Sequence, residues 1–310
     1  ILVLLASTLA LPPLRLSGFA LMLAAWCAVT LRWARLVMQS QVKDKRHPQA
    51  LLLAMTGGVL AILSAFLWSA GLSEAWIAAR QLAFFAFLLP VFLTVCHRML
   101  PFFSSNVIKP YTMWRPYWLL WSLMAFTWWH GTWVVLDDTG YLQASAWTVL
   151  RASVSGAAAL LVLALAIRWG LVQSLKIRLL AMLHIGFVWL GVAYGLEAAS
   201  LLMRSADQFG LGLAPLHALS MGFLGSILLA MATRVSCGHS GRTLTADDLA
   251  WGLYGVLQLA VVARLVAALV PTYAQTGVVA AALLWLVATG GWALRYGRWF
   301  GRPRVDGKPG

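Results

Sequence analysis

Read for hydrophobic and polar positions, the chain alternates between apolar runs of about 20 residues and short polar connections, the pattern of helices that cross a bilayer. Spans are predicted at 17–38, 50–70, 77–100, 117–136, 146–169, 179–203, 215–235, 249–270 and 275–295. Pro101 is expected to stop the third of these, leaving 101–116 as a polar loop. A shorter apolar run at 1–11 ends at Pro12-Pro13 and is too short to span. It reads as the second half of a helix whose beginning precedes Ile1. A signal peptide fits less well, because the basic start and small-residue cleavage pattern are missing. The expectation is an N-terminally truncated, all-α polytopic bundle of about ten spans, the first partial, over 1–300, with a basic tail at 301–310.

Composition agrees. Hydrophobic residues make up 62% and charged residues 10%, with a mean hydropathy of +0.83, outside the range of soluble domains. The net charge of +14 does not indicate a nucleic-acid groove, since the charges sit in short loops between spans. The 17 tryptophans, many near span ends, suit an interfacial belt better than a base-stacking platform. Loops at 39–49, 101–116, 168–178 and 234–248, and the tail, hold most of the Lys and Arg; those at 71–76, 137–145, 204–213 and 271–274 are acidic or nearly neutral. The positive-inside rule then puts the basic loops and the C-terminus in the cytoplasm. No internal repeat is evident.

The residues with chemical potential are mostly histidines. His47, beside Pro48 in a basic loop, reads as solvated. His97, His184 and His239 fall at the cytoplasmic depth, His130 and His217 at the opposite one. From His184, Gly191, Gly195 and Leu202 follow at seven, eleven and eighteen positions, within about 20° on a helix; a flat cofactor or a neighbouring helix would fit that face. His217 shares a face with Met221, Leu224, Leu228 and Met231, beside the small residues Ala218, Gly222, Gly225 and Ser226. An axial haem ligand, a His/Met copper pair and an interfacial histidine all remain open there. Cys96 and His97 are adjacent and point about 100° apart, a poor chelate, though His97 could join His184. The turn Gly238-His239-Ser240-Gly241-Arg242, with Arg234 before it, suits an anion: a haem propionate, a phospholipid headgroup or an acidic side chain. His130, after Trp128-Trp129, reads as an aromatic-belt residue. Glu197 is the glutamate embedded in a span, with Arg80, Arg151 and Arg264 as candidate ion-pair partners. No hydrolytic triad or nucleotide motif occurs.

Four stretches carry a resemblance: Arg98-Met99-Leu100-Pro101-Phe102-Phe103, Arg168-Trp169, the segment Leu183 to Leu190, and above all His217 through Arg242, with its M-A-T-R-V-S-C-G-H-S-G-R end. Together they resemble the NnrS family. The resemblance implies a multi-pass protein of the bacterial inner membrane that contains haem and copper and serves the response to nitric oxide and nitrosative stress, often alongside denitrification. It implies His184, His217 and His239 as metal ligands or their neighbours, and Arg98, Arg234 and Arg242 as anchors for anionic groups; His97 is added as a metal candidate for its depth beside His184, not from the family. The family's earlier W-H-x-H-E-like motif has no counterpart in this chain.

Two function classes stand side by side. One is a haem- and copper-binding membrane protein that handles nitric oxide, with catalysis left open. The other is a metal-free transporter or permease, with Glu197, His184 and the arginines lining a polar path. Transporters often show repeats and interrupted helices in matching places, so the lack of a visible repeat favours the first modestly.

Overall fold

The apolar runs form helices because a backbone in lipid has no water to bond and must satisfy itself within the helix. The computed structural model describes residues 12–140 and 145–308. Among them all regular structure is helical: α1 (Pro12–Gln39), α2 (Arg46–Ser69), α3 (Ala75–Val107), α4 (Tyr117–Asp138), α5 (Ser145–Arg168), α6 (Arg178–Ser205), α7 (Ala214–His239), α8 (Asp248–Leu269) and α9 (Pro271–Gly297). Eight of these, all except α4, are long and apolar enough to cross a membrane. In α4, 22 residues long, Trp, Tyr and His dilute the apolar run. The predicted half-helix at 1–11 lies outside the described residues.

The chain divides into two units, one made of Ile1–Met99 with Trp114–Gln143, the other of Leu100–Met113 with Ala144–Gly310. In the first, α2 carries a stripe of small buried residues, Ala50, Ala54, Gly57, Gly58, Ala61 and Ala65. The stripe lets neighbours approach closely: a Cβ on Gly57 would collide with the carbonyl of Ala86 in α3, and one on Gly58 would lie 2.6 Å from Trp26 Nε1. The Trp26 and Trp33 indoles of α1 donate to the carbonyls of Met55 and Pro48, both at 3.1 Å. In the second unit α6 is the central helix, with 67% of its apolar window buried against 11% for α9. The apolar residues that α9 leaves exposed, among them Val279, Leu283, Leu286 and Leu294, suit contact with lipid tails.

Two features depart from the sequence reading. The helix does not stop at Pro101 but continues to Val107 with the proline inside it. An internal proline removes one backbone hydrogen bond and costs about 3 kcal/mol or more. Offsetting contacts lie on both sides of it: Leu100 before it and Phe103, Ser104 and Ile108 after it are all buried. The second departure is a π-helical segment in one helix of each unit, Leu82–Leu88 in α3 and Ala218–Gly225 in α7. Arg98 follows Leu82 by sixteen positions and Arg234 follows Ala218 by sixteen. The two units thus share a feature that the sequence pattern does not display.

Candidate functional site

The first unit brings together two histidines that the sequence kept apart. His47 lies in the first turn of α2, 5% exposed, and His97 near the end of that unit's part of α3 is fully buried. His97 Nε2 is 3.1 Å from the Pro116 carbonyl, which can only accept, so Nε2 carries the proton and Nδ1 is bare. His47 Nε2, 3.0 Å from that Nδ1, therefore donates to it, and a neutral His47 is left with a lone pair on its own Nδ1. The Tyr117 ring packs against both imidazoles, with centroids 5.8 and 6.5 Å away, and the Arg46 guanidinium sits 4.1 Å over the same ring. The Tyr117 hydroxyl donates to Asp44, holding that carboxyl below its ordinary range.

His47 is the residue the sequence reading missed. Its charged neighbours Lys43, Lys45 and Arg46 look like a solvated loop. The signal that would have found it is Pro48, since proline in a first turn marks a helix start. His97, which the sequence offered as a companion to His184, is held within the first unit by hydrogen bonds with His47 and the Pro116 carbonyl.

His184 belongs to the second unit. It is fully buried, with Nε2 3.0 Å from the Ser104 hydroxyl and no hydrogen-bond partner at Nδ1. Its small-residue line is a helix-packing face: a Cβ on Gly191 would meet Leu163 of α5 at 2.7 Å, and one on Gly195 would rest on Ala159. His217 sits in α7 immediately before the π segment, half-buried, with Nε2 likewise unpartnered. Beside it, Gly222 is covered by the Trp189 ring and Gly225 by Trp285, so indoles pack on the small residues to one side of His217. Trp189 is held there by Gln258, which accepts from its Nε1 at 2.7 Å and donates to Ser226 at 2.9 Å.

The two orphaned imidazoles serve separate places. Antiparallel contacts put Gly186 against Ile227 and Trp189 against Gly222, so His217 lies level with about residue 195 of α6, roughly 16 Å along the axis from His184. One ion cannot bind both. Among the described residues no group of three or more His, Cys, Asp or Glu is placed to hold a metal. What these residues offer is single-imidazole ligation, which suits an axial haem ligand better than a closed copper site.

The remaining expected site residues are placed as follows. The Arg234 guanidinium stacks 3.7 Å over Phe103, and that of Arg242 4.2 Å over Trp299. His239 is exposed at the end of α7. In the turn after it, the N–H groups of Ser240, Gly241 and Arg242 bond to the Ser236, Gly238 and Cys237 carbonyls, closing the helix in place of a free anion. The tail folds onto this turn: Val305 N–H donates to the Ser240 carbonyl at 3.1 Å, and a Cβ on Gly241 would lie 2.6 Å from an Asp306 carboxylate oxygen. Asp306 lies beside the turn but accepts from Arg304 and the Lys308 N–H, while the turn's own N–H groups go to carbonyls. Asp306 is itself paired with Arg304 at 2.6 Å, which holds its pKa at about 2. Glu197 pairs with Arg151 at 3.6 Å, Ser155 donating at 3.5 Å. His130 is buried against Phe85 and Phe126 in the first unit.

Long apolar helices with buried polar residues between them define a multi-pass helical membrane protein. A family model, "NnrS: NnrS protein", matches residues 1–304. The chain belongs to the NnrS family. That membership suggests a membrane protein of the nitric oxide response. No curated protein and no solved structure matches it.

Proposed function

We propose that this protein binds haem in the bacterial inner membrane and acts there in the response to nitric oxide and nitrosative stress. The observation that supports the reading is the pair of imidazole nitrogens, His184 Nδ1 and His217 Nε2, left without hydrogen-bond partners in the second unit. An unpaired buried polar atom costs about 1–3 kcal/mol, a cost that coordination to iron removes. For His184 the cheaper tautomer has Nε2–H donating to Ser104, which leaves a bare lone pair on Nδ1, the form a metal requires. Haem held by either imidazole would supply an iron able to bind nitric oxide, with His184 or His217 as the residue that holds it. Copper rests on family membership alone, since the described residues gather no three-donor set. His239 and His97 are weaker candidates as ligands, one exposed and the other with both ring nitrogens engaged. Arg234 and Arg242 would act as propionate anchors from their places over aromatic rings, since stacking leaves the N–H donors at the edge of the guanidinium free.

Haem content of purified His184→Ala and His217→Ala variants tests the assignment. Loss of most of the haem from one variant, with normal membrane insertion and elution, is expected. Full haem retention in both defeats the assignment of these two residues.

A transporter remains the second reading, and one observation favours it: matching π segments in the two units. A wide helical turn in one helix of each unit is a repeat-like feature, and internal repeats are common in alternating-access proteins. Metal-free protein that catalyses flux of a solute into proteoliposomes would support it.

A further inference from the structure

We propose that the pocket beside the His47–His97 pair binds a phosphate group bearing a P–OH, either inorganic phosphate or the headgroup of a lipid phosphomonoester. The cavity has a volume of about 230 Å³ and is lined by Ser40, Asp44, Lys45, His47, Arg98 and Arg115, among others. A water's share of liquid volume is about 30 Å³, so a phosphate fits with room to spare. All of these residues belong to the first unit.

Charge selects an anion. Lys45, Arg98 and Arg115 form no ion pair with a carboxylate among the described residues. Asp44, the acidic residue in the lining, already accepts from the Tyr117 hydroxyl and from the Arg46 backbone N–H. Three cations around one engaged carboxylate make a concave positive site. Two of them are arginines, whose planar forks match phosphate oxygens. Arg115 is steadied by donating to the Arg98 carbonyl at 3.5 Å. The N-terminus of α2 opens beside the pocket, and although Arg46 N–H is taken by Asp44 and Pro48 has none, the positive end of the helix dipole adds to the field.

His47 narrows the choice of anion. With Nε2 committed to His97, Nδ1 is the polar atom it has left, and in the neutral tautomer that atom is an acceptor. A sulfate or a phosphodiester at pH 7 brings only acceptors. A phosphomonoester or inorganic phosphate retains a P–OH that donates to Nδ1 while its charged oxygens accept from the three cations. The inference is independent of haem and is read on protein of any haem content.

The experiment is a footprint with a titration. Purified, delipidated protein in detergent is treated with diethyl pyrocarbonate, and His47 modification is followed by peptide mass spectrometry. Four probes are added: inorganic phosphate, sulfate, dioctanoyl phosphatidic acid and dioctanoyl phosphatidylcholine. Saturable protection of His47 by phosphate and phosphatidic acid, but not by the other two, is expected. Protection by both means that the phosphate group suffices; protection by phosphatidic acid alone assigns the site to a lipid headgroup. Absence of saturable protection by either overturns the proposal, and equal protection by sulfate overturns the P–OH requirement. Arg98→Gln and Arg115→Gln should each raise the apparent Kd about tenfold, and unchanged affinity in both contradicts the pocket. If either variant misfolds, the footprint of the unmodified protein still decides.

Discussion

At the scale of the residue, His47 shows how a partner fifty positions away reverses a local reading. Its neighbours advertise solvent, yet its ring is buried because His97 needs a donor at Nδ1 once Nε2 is given to Pro116. Neither commitment is visible in local sequence. His47→Ala should therefore leave a buried acceptor unpaired and lower stability by about 1–3 kcal/mol, measured as thermal unfolding in detergent; His47→Asn, which keeps a donor, should recover part of the loss. A smaller loss for Ala than for Asn would contradict the tautomer assignment. Asp247 gives a second residue-scale test. It caps α8, accepting from Ala250 N–H at 2.9 Å, and pairs with Arg295. The backbone bond and then the Arg295 guanidinium hold its carboxyl below the ordinary range. A carboxylate with a lowered folded pKa stabilises above its unfolded value, near 4, and loses that contribution as pH falls through the folded pKa. Asp247→Ala should cost about 1 kcal/mol at pH 7, and the difference from the unmodified protein should shrink below pH 4. A pH-independent gap would rule out the charged cap. The Glu197–Arg151 pair, by contrast, was legible, because a carboxylate within a span demands a cation and Arg151 was one of three available.

At the scale of the element, the apolar runs placed the helices with little error, since length and hydropathy are properties of each segment alone. What they did not place were the π segments and the continuation past Pro101, which depend on what packs alongside. Gly57 sits against the Ala86 carbonyl within the first π segment, where backbone cannot yield as a side chain can. Gly57→Ala should destabilise the protein by about 1–3 kcal/mol, whereas Gly252→Ala, with nothing within 4 Å of the new Cβ, should be neutral or stabilise by up to about 1 kcal/mol. Equal behaviour of the two would contradict the close approach of α2 and α3. The second π segment is braced by the chain Trp189–Gln258–Ser226. Gln258→Leu breaks both hydrogen bonds, and a loss of about 1 kcal/mol is expected in detergent, in line with interhelical bonds in membranes. No change in the unfolding midpoint would remove Gln258 from the brace.

At the scale of the whole molecule, composition alone identified a multi-pass helical membrane protein, and the long His217–Arg242 stretch carried the family. The site was less legible. Of the four histidines expected as metal ligands, two, His184 and His217, have an unpartnered nitrogen, while His239 is exposed and His97 is engaged. Sequence supplied the residue types; hydrogen-bond partners, which come from distant elements, decide which nitrogens are free. The arginines show the same limit: Arg234 and Arg242 are stacked on rings, and Arg98 lines a pocket with residues of α2. The absence of a visible repeat also loses some weight against transport, because each unit has a helix with a π-helical segment and an arginine sixteen positions after its start.

The central claim, that haem sits on a buried imidazole and meets nitric oxide, is tested most directly by the optical spectrum of the purified protein, oxidised and then reduced, before and after addition of nitric oxide, with iron and copper measured on the same sample. The account predicts a Soret band with iron in proportion to protein, displaced by nitric oxide. Colourless, iron-free protein from cells supplied with haem would contradict it and turn attention to transport.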